Sequence, residues 1–182
     1  RTKIKKAVTD SGLKEISGIL FDLGMSTFQI KQSGRGFTFR ANEPLDMRMD
    51  QSLEVNAATI INTYPVADLA TIFMQKGEER LATQISHAIN RVRAEKEIKT
   101  TGDLREVIKS VYDRHHVTEG IDPATRVFQA LRIAVNDELN ALKLALPQSI
   151  DLLKTDGRCV VISFHSLEDR IVKQFFQTQI GS

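Results

Sequence analysis

Two short apolar runs constrain this chain more than any other feature. Ile19-Leu20-Phe21 follows Gly18 and ends at Asp22, and Val160-Val161-Ile162 follows the turn pair Asp156-Gly157 and ends at Ser163. Continuous apolar runs bounded by turn residues predict strands buried on both faces, as in parallel sheets. The helical period dominates between them, so the expected class is α/β. Ligands of open α/β sheets bind at the carboxyl ends of strands. Here those ends carry Asp22-Leu23-Gly24 and Ser163-Phe164-His165-Ser166. Two strands do not make a stable parallel sheet alone. Either further strands are present, or the rest of the sheet lies outside this chain. Self-association, a homodimer in the simplest case, is the other expectation.

The residues 53–118 read as helical throughout. Leu81, Ile85, Ile89 and Val92 form one apolar face. Thr100 or Thr101 is placed to cap a helix running through Leu104, Ile108 and Val111, and Gly77 to close the helix of Leu69, Ile72 and Phe73. Asp122 and Pro123 suit the start of one long helix. Its stripe runs Phe128, Leu131, Val135, Leu139, Leu142 and Leu146, up to Pro147. The residues 24–52 show no regular period, and a loop that long is usually functional or disordered. The expected layout is a core piece over 1–50, a helical insertion over 51–120 and the rest of the core over 121–182.

Composition narrows the function classes. The 182 residues suit one domain with an insertion, at about 150 residues per domain. Lys plus Arg is 25 and Asp plus Glu 23, a balance of +2 that does not announce a nucleic-acid binder. The single cysteine, Cys159, excludes an intrachain disulfide or thiolate zinc cluster and fits a reducing, cytoplasmic compartment. No apolar run approaches the ~20 residues of a membrane span, and Arg1 to Asp10 lacks a signal-peptide core. His115 and His116 point apart on a helix, so no metal site is expected.

Three constellations suit chemistry. Asp22 with Ser26, Thr27 and Gln29 offers fixed hydrogen-bond partners for a small molecule, or simply holds a turn. Gly34-Arg35-Gly36-Phe37-Thr38-Phe39-Arg40 interleaves guanidinium groups that bind phosphate with rings that stack on bases. The plainer reading is a short hairpin against the core. His165 lies just past a strand, where its ring can reach a substrate. Ser166 and Asp169 read as a capping box for the last helix, which leaves His165 free. A serine-hydrolase reading fails for want of a nucleophile elbow.

Taken together, Gly18-Ile19-Leu20-Phe21-Asp22-Leu23-Gly24-Met25-Ser26, Arg35-Gly36-Phe37-Thr38-Phe39, Pro44-Leu45-Asp46-Met47-Arg48-Met49-Asp50, Pro123-Ala124-Thr125-Arg126-Val127-Phe128 and Ser163-Phe164-His165-Ser166-Leu167-Glu168-Asp169-Arg170 closely resemble the bacterial ribosomal RNA small subunit methyltransferase H family. The resemblance implies a Rossmann-like methyltransferase core, incomplete in this chain, with an inserted helical subdomain. It implies methyl transfer from S-adenosylmethionine to the exocyclic N4 of a cytidine in the decoding region of 16S rRNA, within the small ribosomal subunit. It assigns Asp22 and Gln29 to the cofactor site and sets Ser163 to Arg170 near the substrate. An acceptor on the N4–H group favours a nucleophilic nitrogen, and Asp22 and Ser26 are both candidates. His165 is a third catalytic candidate. Arg35, Arg40, Arg48, Arg126, Arg132 and Arg170 are candidates for phosphate contact. The family's glycine-rich cofactor loop does not occur in this chain, so negligible methyl transfer by this segment alone is expected. The alternative is a non-catalytic module that binds RNA or the ribosome.

Overall fold

The computed structural model describes residues 4–26, 33–117 and 120–180. Among these are two strands, eight helices and the α/β architecture expected from the sequence. The chain divides into two compact units, Arg1–Met25 with Asp137–Ser182, and Ser26–Asn136. The helical signal begins and ends near 50 and 120, whereas packing divides the chain near 25 and 136.

The first unit holds α1 (Ile4–Asp10), β1 (Ile16–Asp22), α7 (Glu138–Leu152), β2 (Leu153–Ile162) and α8 (Ser166–Gln179). β1 and β2 pair in parallel, with Ile19 opposite Cys159, Phe21 opposite Val161 and Asp22 opposite Ile162. The Asp156-Gly157 signal is a bulge inside β2, where Asp156 takes a left-handed φ of 64° and the register jumps between Ile16 and Gly18. Burial on both faces is not what is found. Side chains alternate, and Cys159 faces α7, with its Sγ 3.6 Å from the buried Ser149 Oγ. Leu20, Val160 and Ile162 stand exposed on the opposite face. The strand period of 2 survives because one face meets a helix and the other does not.

The second unit holds α2 (Ala57–Thr63), α3 (Val66–Gly77), α4 (Ala82–Glu95), α5 (Thr101–Arg114) and α6 (Ala124–Asn136). α3 packs on both α4 and α6, and α4 on α5. Leu69, Phe73, Ile85, Ile89, Leu104, Ile108 and Leu131 form its core. Gly77 lies where a Cβ would come within 2.5 Å of the Arg126 carbonyl. The absent side chain lets α3 and α6 approach closely. The helix itself ends at Glu78, in left-handed conformation. Thr100 caps α5 in a reciprocal box with Asp103.

The long stripe expected to run to Pro147 is two helices. The break is at Asp137, left-handed at φ 51°, and Pro147 lies inside α7. Asn136 explains the position. Its Nδ2 donates to the Met47 carbonyl at 2.7 Å, and its Oδ1 accepts from the Met49 amide at 2.8 Å. A helix end tied to a distant loop leaves no mark in the apolar spacing.

The irregular residues 33–56 are ordered by partners of this kind. Leu45 donates to the Lys99 carbonyl, Ala58 to that of Leu45, and Thr101 to that of Glu43. Leu45 and Met47 are buried. Phe37 and Phe39 do not form a hairpin. Phe37 is buried, and Phe39 meets Phe128 edge-on at 5.2 Å.

Candidate active site

The parallel register joins two motifs far apart in sequence. With Asp22 beside Ile162 and the Leu23 N–H donating to the Ile162 carbonyl at 3.1 Å, Asp22-Leu23-Gly24 and Ser163-Phe164-His165 share one edge of the sheet. Gly24 turns the chain at φ +85° and lies so close to the Phe164 ring that a Cβ would touch it at 3.4 Å. Asp22 is exposed, and the Phe164 ring is 68% exposed.

His165 is not the free residue expected. It is itself the N-cap of α8, and Glu168, rather than Asp169, completes the cap. The Glu168 N–H donates to His165 Nδ1 at 3.4 Å, and Glu168 Oε2 accepts from the Phe164 N–H at 2.9 Å. The cap sits one residue earlier than the Ser166–Asp169 template because Glu168 reaches back to the strand exit. An Nδ1 that accepts an amide proton assigns the neutral ring's own proton to Nε2. Nε2 is buried and lies 3.3 Å from Glu168 Oε1, but without hydrogen-bond alignment, so this donor is unsatisfied among the described residues.

The other candidates are dispersed. Ser26 is exposed and groups with the helical unit, and Thr27 and Gln29 lie outside the described residues. Arg170 is exposed on α8, while Arg126 and Arg132 are half-buried on α6. Two arginines expected at phosphate are occupied by the loop. Arg35 donates to the Arg48 carbonyl at 2.7 Å and lies over the Phe37 ring. Arg48 grips Asp46 with Nε and an Nη at 2.8 Å each, and donates to the carbonyls of Gln51 and Leu53. The Arg48 hydrogen bond holds the Asp46 carboxyl below its usual range, against the opposing effect of burial. Among the described residues, no cluster of His, Cys, Asp or Glu could hold a metal ion.

The sequence model of the MraW methylase family matches residues 2–181. The chain belongs to this family. Curated relatives agree with the MraW match. The ribosomal RNA small subunit methyltransferase H of Syntrophotalea carbinolica is 48% identical over 175 residues, covering 96% of this chain and 56% of the relative. Its counterpart in Neorickettsia sennetsu is 48% identical over 171 residues, 94% of this chain and 57% of the relative. That of Granulibacter bethesdensis is 49% identical over 181 residues, all of this chain and 53% of the relative. The chain thus spans about half the length of these relatives. MraW family membership makes the parallel pair part of a Rossmann-like methyltransferase fold.

The edge residues fit the methyl donor of such enzymes in kind. A sulfonium bearing an amino group calls for a carboxylate acceptor and an aromatic neighbour. Asp22 and the exposed Phe164 ring are of these two kinds.

Proposed function

We propose that this protein serves S-adenosylmethionine-dependent methylation of small-subunit ribosomal RNA, at the exocyclic N4 of a cytidine in the decoding region. The substrate is 16S rRNA within the small subunit, in the cytoplasm. The carrying observation is the register that sets Asp22 and the Ser163–His165 exit side by side. No helix among the described residues is long and apolar enough to cross a membrane, and this reading needs none.

When bound, S-adenosylmethionine supplies a methyl group already activated on a sulfonium. What remains for the protein is alignment and proton handling. The Asp22 carboxylate accepts an N4–H of the cytosine, turns the nitrogen lone pair toward the donor and takes the proton released on methylation. Ser26 is the second candidate acceptor. Asp22 and Gln29 are the candidate cofactor contacts. His165, as the cap of α8, positions the strand exit beside Asp22 and is the third catalytic candidate. The base must leave its stack to reach the sheet edge. Arg126, Arg132 and Arg170 are candidates for phosphate contact, as is Arg40. The pieces 1–50 and 121–182 form the core in this reading, with 51–120 inserted between them.

The test is transfer of a labelled methyl group to small ribosomal subunits by the full-length protein. Asp22→Asn is expected to cut turnover about a hundredfold or more; near-normal turnover removes Asp22 from the chemistry. Calorimetry with S-adenosylmethionine separates its roles. Retained cofactor affinity in Asp22→Asn assigns it to the base, and lost affinity assigns it to the cofactor. Ribosome binding without cofactor binding would instead support a non-catalytic module.

A further inference from the structure

A groove in the helical unit, made wholly of residues between 26 and 136, has the makings of a nucleotide site. Its larger part is a cavity of about 590 Å³ lined by Phe39, Arg40, Arg105, Asp122 and Thr125, among others. A second cavity of about 240 Å³ shares Phe39, Arg40 and Arg105 and adds Lys109. The three shared residues therefore border both hollows.

Each of the three suits a different piece of a nucleotide. Phe39 is anchored by its edge contact with the buried Phe128, yet borders both hollows. A half-buried ring already held by a neighbouring ring loses little entropy when a base comes against it. Arg105 is held by Asp122 at 2.6 Å, with its guanidinium carbon 6.0 Å from the centre of the Phe39 ring. Asp122 also accepts from the Ala124 N–H at 2.9 Å. Burial opposes its charge, but Arg105, that amide and the field of Arg40 together hold its carboxyl below the ordinary range. Asp122 is committed to Arg105, which leaves Arg40 without a close carboxylate, although Glu106 also lines the second hollow. Arg40 is exposed, and its guanidinium makes no hydrogen bond or ion pair among the described residues. A planar guanidinium beside an accessible aromatic ring matches a phosphate and its base.

We infer that this groove binds a single-stranded RNA segment, with a phosphate at Arg40 and the adjoining base against Phe39. The inference rests on the reading of RNA as substrate and adds a contact surface within the helical unit. A strand fits better than a free nucleotide because both hollows adjoin the same three residues, so successive nucleotides have somewhere to lie.

The experiment is fluorescence anisotropy with a labelled oligouridylate, over a range of salt concentrations, on the parent protein and on Arg40→Glu, Phe39→Leu and Lys143→Glu. Lys143 is exposed on α7 and controls for overall charge. Arg40→Glu is expected to weaken binding about tenfold or more and to reduce the salt slope by about one. Phe39→Leu is expected to weaken it about tenfold at unchanged salt slope. Because Phe39 also packs on Phe128, its variant is scored only alongside an unchanged melting temperature, and the exposed Arg40 decides the outcome if Phe39→Leu unfolds. No binding by the parent, unchanged affinity in Arg40→Glu, or an equal loss in Lys143→Glu overturns the inference. Competition by uridine monophosphate as strong as that by the oligonucleotide overturns the strand. The two readings fail separately. Methyl transfer that needs Asp22 but ignores Arg40 sinks only the groove, and Arg40-dependent binding without any methyl transfer sinks only the enzyme.

Discussion

Asp46 and Arg48 show how a local charge pair takes over a residue that the family resemblance would give to RNA. The two side chains are only about one-fifth exposed and share two close contacts. Because the folded Asp46 pKa is depressed, the pair contributes stability above the unfolded value of about 3.9 and loses it as pH falls through the folded one. Asp46→Asn is expected to lower unfolding free energy by about 1–3 kcal/mol at pH 7, with the gap to the parent closing below about pH 4. Urea titrations at pH 7 and pH 3 check it. Tyr112 makes a second case. Its buried hydroxyl donates to both oxygens of the buried Glu79, at 2.8 and 2.9 Å. Tyr112→Phe leaves that carboxylate short of a donor and is expected to cost about 1–3 kcal/mol in urea unfolding. The sequence shows the alternation of Arg with Phe plainly. It does not show that Arg35 and Arg48 turn inward, because their partners are loop carbonyls and a carboxylate two positions away.

Helix boundaries were legible where their causes are local. The Thr100–Asp103 box lies within four consecutive residues and could be read off directly. The last helix is harder, since two overlapping templates fit, and the choice of His165 with Glu168 follows from the Phe164 amide at the end of β2. The break at Asp137 was hidden altogether, being fixed by the contacts of Asn136 to a loop far away in sequence. Asn136→Ala strips partners from the Met47 carbonyl and the Met49 amide. It is expected to cost about 2 kcal/mol and to speed proteolytic cleavage within 33–56, read by limited digestion. Gly77→Ala forces α3 and α6 apart against the Arg126 carbonyl. The expected cost is about 1–3 kcal/mol, seen as a lower melting temperature.

At the scale of the molecule, the α/β class and both strands were visible in sequence, because apolar runs ending at polar turns have few other uses. The alternation of exposure along those strands was not visible, since it depends on which face a helix covers. Burial is also unevenly shared. The largest fully buried side chains, from Leu45 to Ile133, all belong to the helical unit. The unit with the sheet edge buries fewer side chains, among them Leu142, Leu146, Leu152 and Leu167. Hydrogen exchange is expected to be slowest in α3 to α6 and faster in β1 and β2, as protection follows local burial.

Among the described residues, the pairing of Asp22 with Ile162 lies at the tip of a two-stranded ladder. Backbone hydrogen bonds at such a tip open singly, without waiting for global unfolding. Warming would therefore part the two motifs while the helices still give a full circular dichroism signal. Contact between the two strand ends should be lost well before the protein looks denatured, and a ligand spanning both ends should act as a clasp that narrows the interval.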